Sequence, residues 1–146
     1  MKDKTFLKRY STHSFIITWL LNFLWINISE IFRYFLFVMP IMRQSFPQIP
    51  NVAPMNLPIF LSWGVWDIIL ITSFMCFIKL YFERFGTRLK HCIIAATTFW
   101  IAVFGLLWLG LYNMNLATPD VLMIAMPLSW FELLIASLIA SWGLKK

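Results

Sequence analysis

The sequence predicts an all-α integral membrane protein, a single domain over residues 1–146 built as a bundle of four transmembrane helices with both termini cytoplasmic. Three observations predict it. Hydrophobic residues make up 61% of the chain and the mean hydropathy is +0.79, well above the roughly 45–50% apolar content of soluble domains. Charged residues are only 12% of the total and cluster between long apolar runs. The basic ones fall almost entirely on one side of those runs.

Four runs, about 14–39, 58–81, 92–113 and 120–142, match the roughly 20 helical residues that cross a hydrocarbon core of about 30 Å. In lipid each backbone N–H and C=O needs a partner within its own segment, so the runs are helices. The short alternating segments of a membrane β-barrel do not occur. The first run is too long for a signal-peptide core and has no small-residue cleavage site, so it is expected to be retained.

The first helix follows a polar tail in which Thr12 or Ser14 is placed to cap it, and Pro40 is expected to close or kink it. A Pro-rich outer loop, 40–57, contains Pro47, Pro50 and Pro54 and runs up to Pro58. It is expected to run partly extended and, with Phe46, Ile49, Val52, Met55 and Leu57, to lie across the outer mouth of the bundle. The second helix breaks at Gly86 in a short basic turn. The third carries Ala95, Thr98, Ala102 and Gly105 at steps of three, four and three, a seam of small residues for close helix contact. For the fourth, Thr118 is placed to cap, Pro119 suits the first helical position and Asp120 the positive end of the dipole. Within it Ala136 with Ala140, and Ser137 with Ser141, repeat the small-residue spacing.

Lys2, Lys4, Lys8 and Arg9 precede the first run, Lys79, Arg84, Arg88 and Lys90 flank the second connection, and Lys145 and Lys146 end the chain. These four, four and two make ten of the twelve basic residues. Under the positive-inside rule they place the chain in the plasma (inner) membrane as a multi-pass protein with both termini inside. The net charge of +6 therefore points to anionic lipid headgroups and not to nucleic acid. Cys76 and Cys92 are expected to be free thiols in a reducing compartment. His13 and His91 lie at the inner interface, far from the acids. No catalytic triad order, Gly-rich phosphate loop or zinc-protease pattern is present, so neither metal nor cofactor is expected and an enzyme is the less expected reading.

The informative stretch is NISEIFRYF, residues 27–35, inside the first run. At about 100° per residue, Thr18, Trp19, Asn22, Ser29, Glu30 and Arg33 share one face of that helix, an arc of roughly 120°. Such a face turns toward protein or water. Glu30, Asp67 and Glu132 each occupy one span at a similar depth in the outer half, with Arg33 one turn further out. A charge at mid-membrane costs at least about 2.5–3.5 kcal/mol on insertion scales, so the three acids are expected to converge inside the bundle. Three carboxylates with one guanidinium in a low dielectric predict a held proton or a bound cation. Trp63 shares the Asp67 face, and an aromatic wall beside a carboxylate suits an organic cation. Pro127 frees the carbonyl of Met123 near Ser129 and Glu132, as in the broken helices that line transporter sites.

The expected ion- or substrate-binding residues are thus Glu30, Arg33, Asp67, Glu132, Asn22, Ser29 and Trp63. They support transport or channel-type handling of protons, cations or a small organic solute. The alternatives are a membrane-embedded protein or isomerase-like enzyme acting on a lipid or other amphipathic small molecule, and an accessory subunit of a larger membrane complex. Four helices make a thin enclosure, so a homo-oligomer in contact with the lipid bilayer is expected, with the small-residue seams as its contacts.

Overall fold

The computed structural model describes residues 11–144; the basic residues at either end, Lys2, Lys4, Lys8, Arg9, Lys145 and Lys146, lie outside them. The chain is all-helical, with no strand among the described residues. Four helices are each long and apolar enough to cross a membrane: α1 Thr12–Ser45, α2 Leu57–Phe85, α3 Leu89–Asn113 and α4 Pro119–Gly143. They form an up-and-down bundle in which α4 packs along both α1 and α3, while α2 meets α1, α3 and α4. The loop between α1 and α2 marks one end, here the loop end, and the described termini mark the other.

The outer surface of the bundle is apolar, and the polar side chains of the spans are set inside an otherwise apolar core. Thr18, Asn22, Glu30, Arg33, Asp67, Ser129, Glu132, Ser137 and Ser141 are buried, whereas Leu20, Leu24, Ile28, Leu36, Ile69, Leu80, Leu106 and Phe131 are exposed. Water would not tolerate so continuous an apolar surface, but lipid would. Buried residues on α1 fall at Thr18, Asn22, Ile26, Glu30 and Arg33, the steps of four and three that keep one face inward.

The first helix overruns its expected end. Residues Tyr34–Val38 form a π turn, in which the Met39 N–H reaches back five residues to the Tyr34 carbonyl, and the helix continues through Pro40 to Ser45. A proline in a regular helix collides with the carbonyl four residues back. The widened turn just ahead of Pro40 relieves that collision, so the helix gains a turn and a half and the loop shrinks from 40–57 to residues 46–56. Asn56 then caps α2, its side-chain oxygen accepting from the Ile59 N–H at 3.1 Å. Gly86, at φ +86°, ends α2 as expected, since the left-handed region favours glycine.

A second π turn, Ile101–Gly105, interrupts α3. It shifts the buried face: Cys92, Ala95, Ala96 and Phe99 are buried, then Phe104, a step of five. The expected seam therefore splits, because Ala95 faces inward while Thr98 and Ala102 face out. On α4, Ala136, Ser137, Ala140 and Ser141 are all buried, and the Ser137 hydroxyl donates to the Cys92 carbonyl at 3.0 Å. That seam is used within the chain. Two caps also differ from expectation: Ser11 precedes α1 without a side-chain bond, and the Thr118 hydroxyl meets the Ser45 hydroxyl at 3.4 Å instead of capping α4. Cys76 is exposed, Cys92 is buried, and both are free.

Candidate functional site

The site lies where α1, α2 and α4 meet in the half of the bundle nearer the loop. Glu30 and Arg33 are one helical turn apart on α1, and an Arg33 Nη2–Glu30 Oε1 bond of 3.1 Å joins them. The second arm of the guanidinium points across to α4, with Arg33 Nη1 3.4 Å from Glu132 Oε2. That distance is an ion pair without hydrogen-bond alignment. The guanidinium also lies 5.4 Å from the centre of the Phe104 ring, presented by the π turn of α3, a cation–π contact on its apolar side. Asp67 of α2 stands beside Glu30, and Ser29 stands beside Glu132.

Burial is nearly complete: Glu30 is 4% exposed, Asp67 4% and Glu132 1%. Even so, Glu30 Oε2, Asp67 Oδ1 and both Glu132 oxygens have no hydrogen-bond partner. Buried acceptors of this kind are costly. The arrangement holds three acids around one base, and its four unpartnered carboxylate oxygens outnumber the one unpartnered donor, Arg33 Nη1, so what it lacks is further donors or a positive charge. Among the described residues no three His, Cys, Asp or Glu side chains are placed to chelate a metal ion.

Two cavities flank Glu30. The larger, about 570 Å³, has Glu30 and Arg33 at its base, Trp63, Trp66 and Trp108 in its walls, and Ala53 and Pro54 of the loop above. It lies between α1, the part of α2 nearer the loop and the stretch of α3 after its π turn, because α2 and α3 touch only through Leu89–Trp100. The two helices splay beyond that point. The smaller cavity, about 60 Å³, lies between α1 and α2 and runs from Asn27, Glu30 and Asp67 past Ile31, Tyr34 and Gly64 to Met55 and Phe60. Trp63, 36% exposed, borders both.

The structure therefore brings together Glu30, Arg33, Asp67 and Glu132, with Ser29 alongside and Trp63 on the cavity wall. Asn22 is elsewhere: two turns nearer the termini, its amide donates to the Met75 sulfur at 3.2 Å, and it borders neither cavity. Pro127 is exposed, so the break in α4 faces outward and does not line the site.

Sequence reasoning missed the indole clamps. The Trp25 N–H donates to the Glu132 backbone carbonyl at 3.0 Å, fixing the α4 turn that carries Glu132 against α1. Trp19 donates to Thr72 at 3.1 Å, Trp130 to Thr97 at 3.0 Å and Trp100 to Ser129 at 3.0 Å. An indole N–H inside an apolar span needs an acceptor, and that need, applied to each Trp, was the available signal.

Tyr34 ties the loop to the site. Its hydroxyl donates to the Ala53 carbonyl at 3.0 Å, with the Pro54 carbonyl at 3.3 Å, and its ring packs edge-on against Trp63 at 4.9 Å. Ala53 holds φ +49° and Asn51 φ +57°, and alanine adopts such angles only when surrounding contacts impose them. Tyr34→Phe is expected to cost about 1 kcal/mol and to speed protease cleavage within residues 46–56, leaving the helices intact; unchanged cleavage would mean that the hydroxyl does not hold the loop. No family model, curated protein or solved structure matches the chain.

Proposed function

We propose that the chain is a transport-type protein of the plasma (inner) membrane, both termini cytoplasmic, which takes an amphipathic organic cation into the large cavity. The observation that carries this reading is the surplus of buried, unpartnered carboxylate oxygens at the base of an aromatic-walled cavity. Arg33 is already shared between Glu30 and Glu132, so it leaves little attraction for an anionic head. Trp63, Trp66 and Trp108 line the cavity with aromatic surface, which suits both a cationic head and an apolar tail. The splayed outer parts of α2 and α3 give such a molecule a route from the lipid phase, which a water-soluble ion would not need.

Tetraphenylphosphonium and its anionic counterpart tetraphenylborate, matched in size, make the test. Binding to purified protein, read by quenching of Trp fluorescence, is expected for the cation and not for the borate. Glu30→Gln is expected to weaken the cation by about tenfold or more, the effect of about 1.4 kcal/mol. Equal binding of the two ions would sink the proposal.

A second reading, a membrane-embedded binding protein or isomerase-like enzyme for an amphipathic molecule, is favoured by the packing below the site. Ile71, Phe74, Met75 and Ile78 are wholly buried there and close the bundle toward the termini. Uptake of the phosphonium into proteoliposomes separates the two, since only a transporter moves it through that seal.

A further inference from the structure

Glu30 borders both cavities, whereas Arg33 borders only the large one and Asp67 only the small one. The two compartments differ in kind. The large cavity has the size and aromatic lining for an organic ligand. The small one has Asn27, Glu30 and Asp67 at its inner end and Ile31, Phe35, Phe60 and Trp63 along its sides, and its about 60 Å³ holds a few water molecules against those three polar groups, where one needs about 10–15 Å³ of such space. It reaches Met55 of the loop and Phe60 at the start of α2, so its upper limit is the loop end of the bundle.

We infer that the small cavity is a water-filled proton port: Asp67 exchanges protons with the medium at the loop end, passes them to Glu30, and a cation in the large cavity competes with that proton for the same carboxylate. The exchange balances. A proton arriving on Asp67 moves to a Glu30 oxygen as the cation leaves, and a cation arriving beside Glu30 sends the proton back through Asp67 to water.

The charged and titratable groups facing Glu30 and Asp67 are few. Arg33 comes from α1, Glu132 from α4, and α3 presents only the Phe104 ring, while the Tyr34 hydroxyl of α1 is turned to the Ala53 and Pro54 carbonyls of the loop. Arg33 keeps one Glu30 oxygen occupied, leaving Oε2 without a partner, and Asp67 Oδ1 likewise lacks one. A carboxyl pair with free acceptors on each member is suited to holding one mobile proton.

The port itself is testable without any ligand, and only the competition rests on the cation reading. In the wild-type protein the carboxylic C=O infrared band is expected to shift within seconds of transfer to D₂O, and Asp67→Asn is expected to remove the fast-shifting part. Gly64→Leu provides a variant that keeps every titratable group. Gly64 lines the small cavity, and a Cβ there collides with nothing, so a leucine is accommodated beside that cavity and hydrogen–deuterium exchange is expected to slow by at least tenfold while tetraphenylphosphonium still binds. Exchange that is slow in the wild type, or unaffected by Gly64→Leu, overturns the port.

For the competition, titration of tetraphenylphosphonium near neutral pH in two buffers of different ionisation heat counts protons released on binding. Release that falls to zero at higher pH, where Glu30 and Asp67 have both lost their proton, supports it, and no release at any pH overturns it. If the phosphonium does not bind at all, the proposed function falls, whereas fast exchange blocked by Gly64→Leu still establishes the port.

Discussion

Arg33→Met is expected to destabilise the protein by about 3–5 kcal/mol, the range for breaking a buried ion pair and leaving its partner charged. Methionine roughly fills the volume and keeps an apolar contact with Phe104, so loss of packing is the smaller part of the effect. The larger part is electrostatic: Glu30 and Glu132, 4% and 1% exposed, face each other and Asp67 with nothing positive between them. The melting temperature in detergent is the readout. Combining Arg33→Met with Glu30→Gln and Glu132→Gln is expected to recover most of the loss, because amides carry no charge to strand. Failure of that rescue would show that the guanidinium holds the helices together by shape, and the charge balance on which the cation reading rests would lose its support.

This expectation depends on a cluster that was partly legible in the sequence. The four long apolar helices were legible because length and composition mark them together. The inward face of α1 was legible because Glu30 and Arg33 stand at helical spacing in an otherwise apolar run. Depth along each span was enough to group Glu30, Asp67 and Glu132. It was not enough for Asn22, which shares the face but meets Met75 two turns away. Periodicity assigns a face; the partner at each level comes from the other helices.

The remaining differences trace to backbone that carries no residue signature. Two π turns, Tyr34–Val38 and Ile101–Gly105, cannot be read from propensity, yet they carry α1 through Pro40 and rotate Phe104 over Arg33. Both lie beside the large cavity, and π turns are frequent at functional sites. The cavity arises from the splay of α2 from α3, a relation between helices that neither sequence stretch contains. Pro127 illustrates the converse: a residue with a strong local signature faces outward and has no part in the site.

Gly143→Leu is expected to be the other severe substitution, and it acts from the opposite end of the interface that carries Glu132. A side chain at Gly143 would collide with the Thr18 hydroxyl, and the Cβ and Cγ2 atoms of Thr18 lie 3.1 Å away. Thr18 is fully buried, its hydroxyl is bonded to the Ser14 carbonyl at 2.6 Å, and a β-branched side chain on a helix has little rotamer freedom. Thr18 therefore cannot yield, and α1 and α4 must separate. Gly143→Ala is expected to cost about 1–3 kcal/mol, the usual range for overpacking, and leucine more. The same two helices are joined further along by the Trp25 bond to the Glu132 carbonyl and the Arg33–Glu132 contact, so prising them apart at Gly143 should also weaken tetraphenylphosphonium binding. Thr18→Ala in the Gly143→Ala background removes the hydroxyl and Cγ2, two of the three obstructing atoms including the nearest, and is expected to restore most of the melting temperature, a coupling that double-mutant analysis measures directly. If the two substitutions simply add, Thr18 and Gly143 do not obstruct each other, and the alignment of Glu132 with Arg33 is set by contacts nearer the site, the Trp25 bond among them.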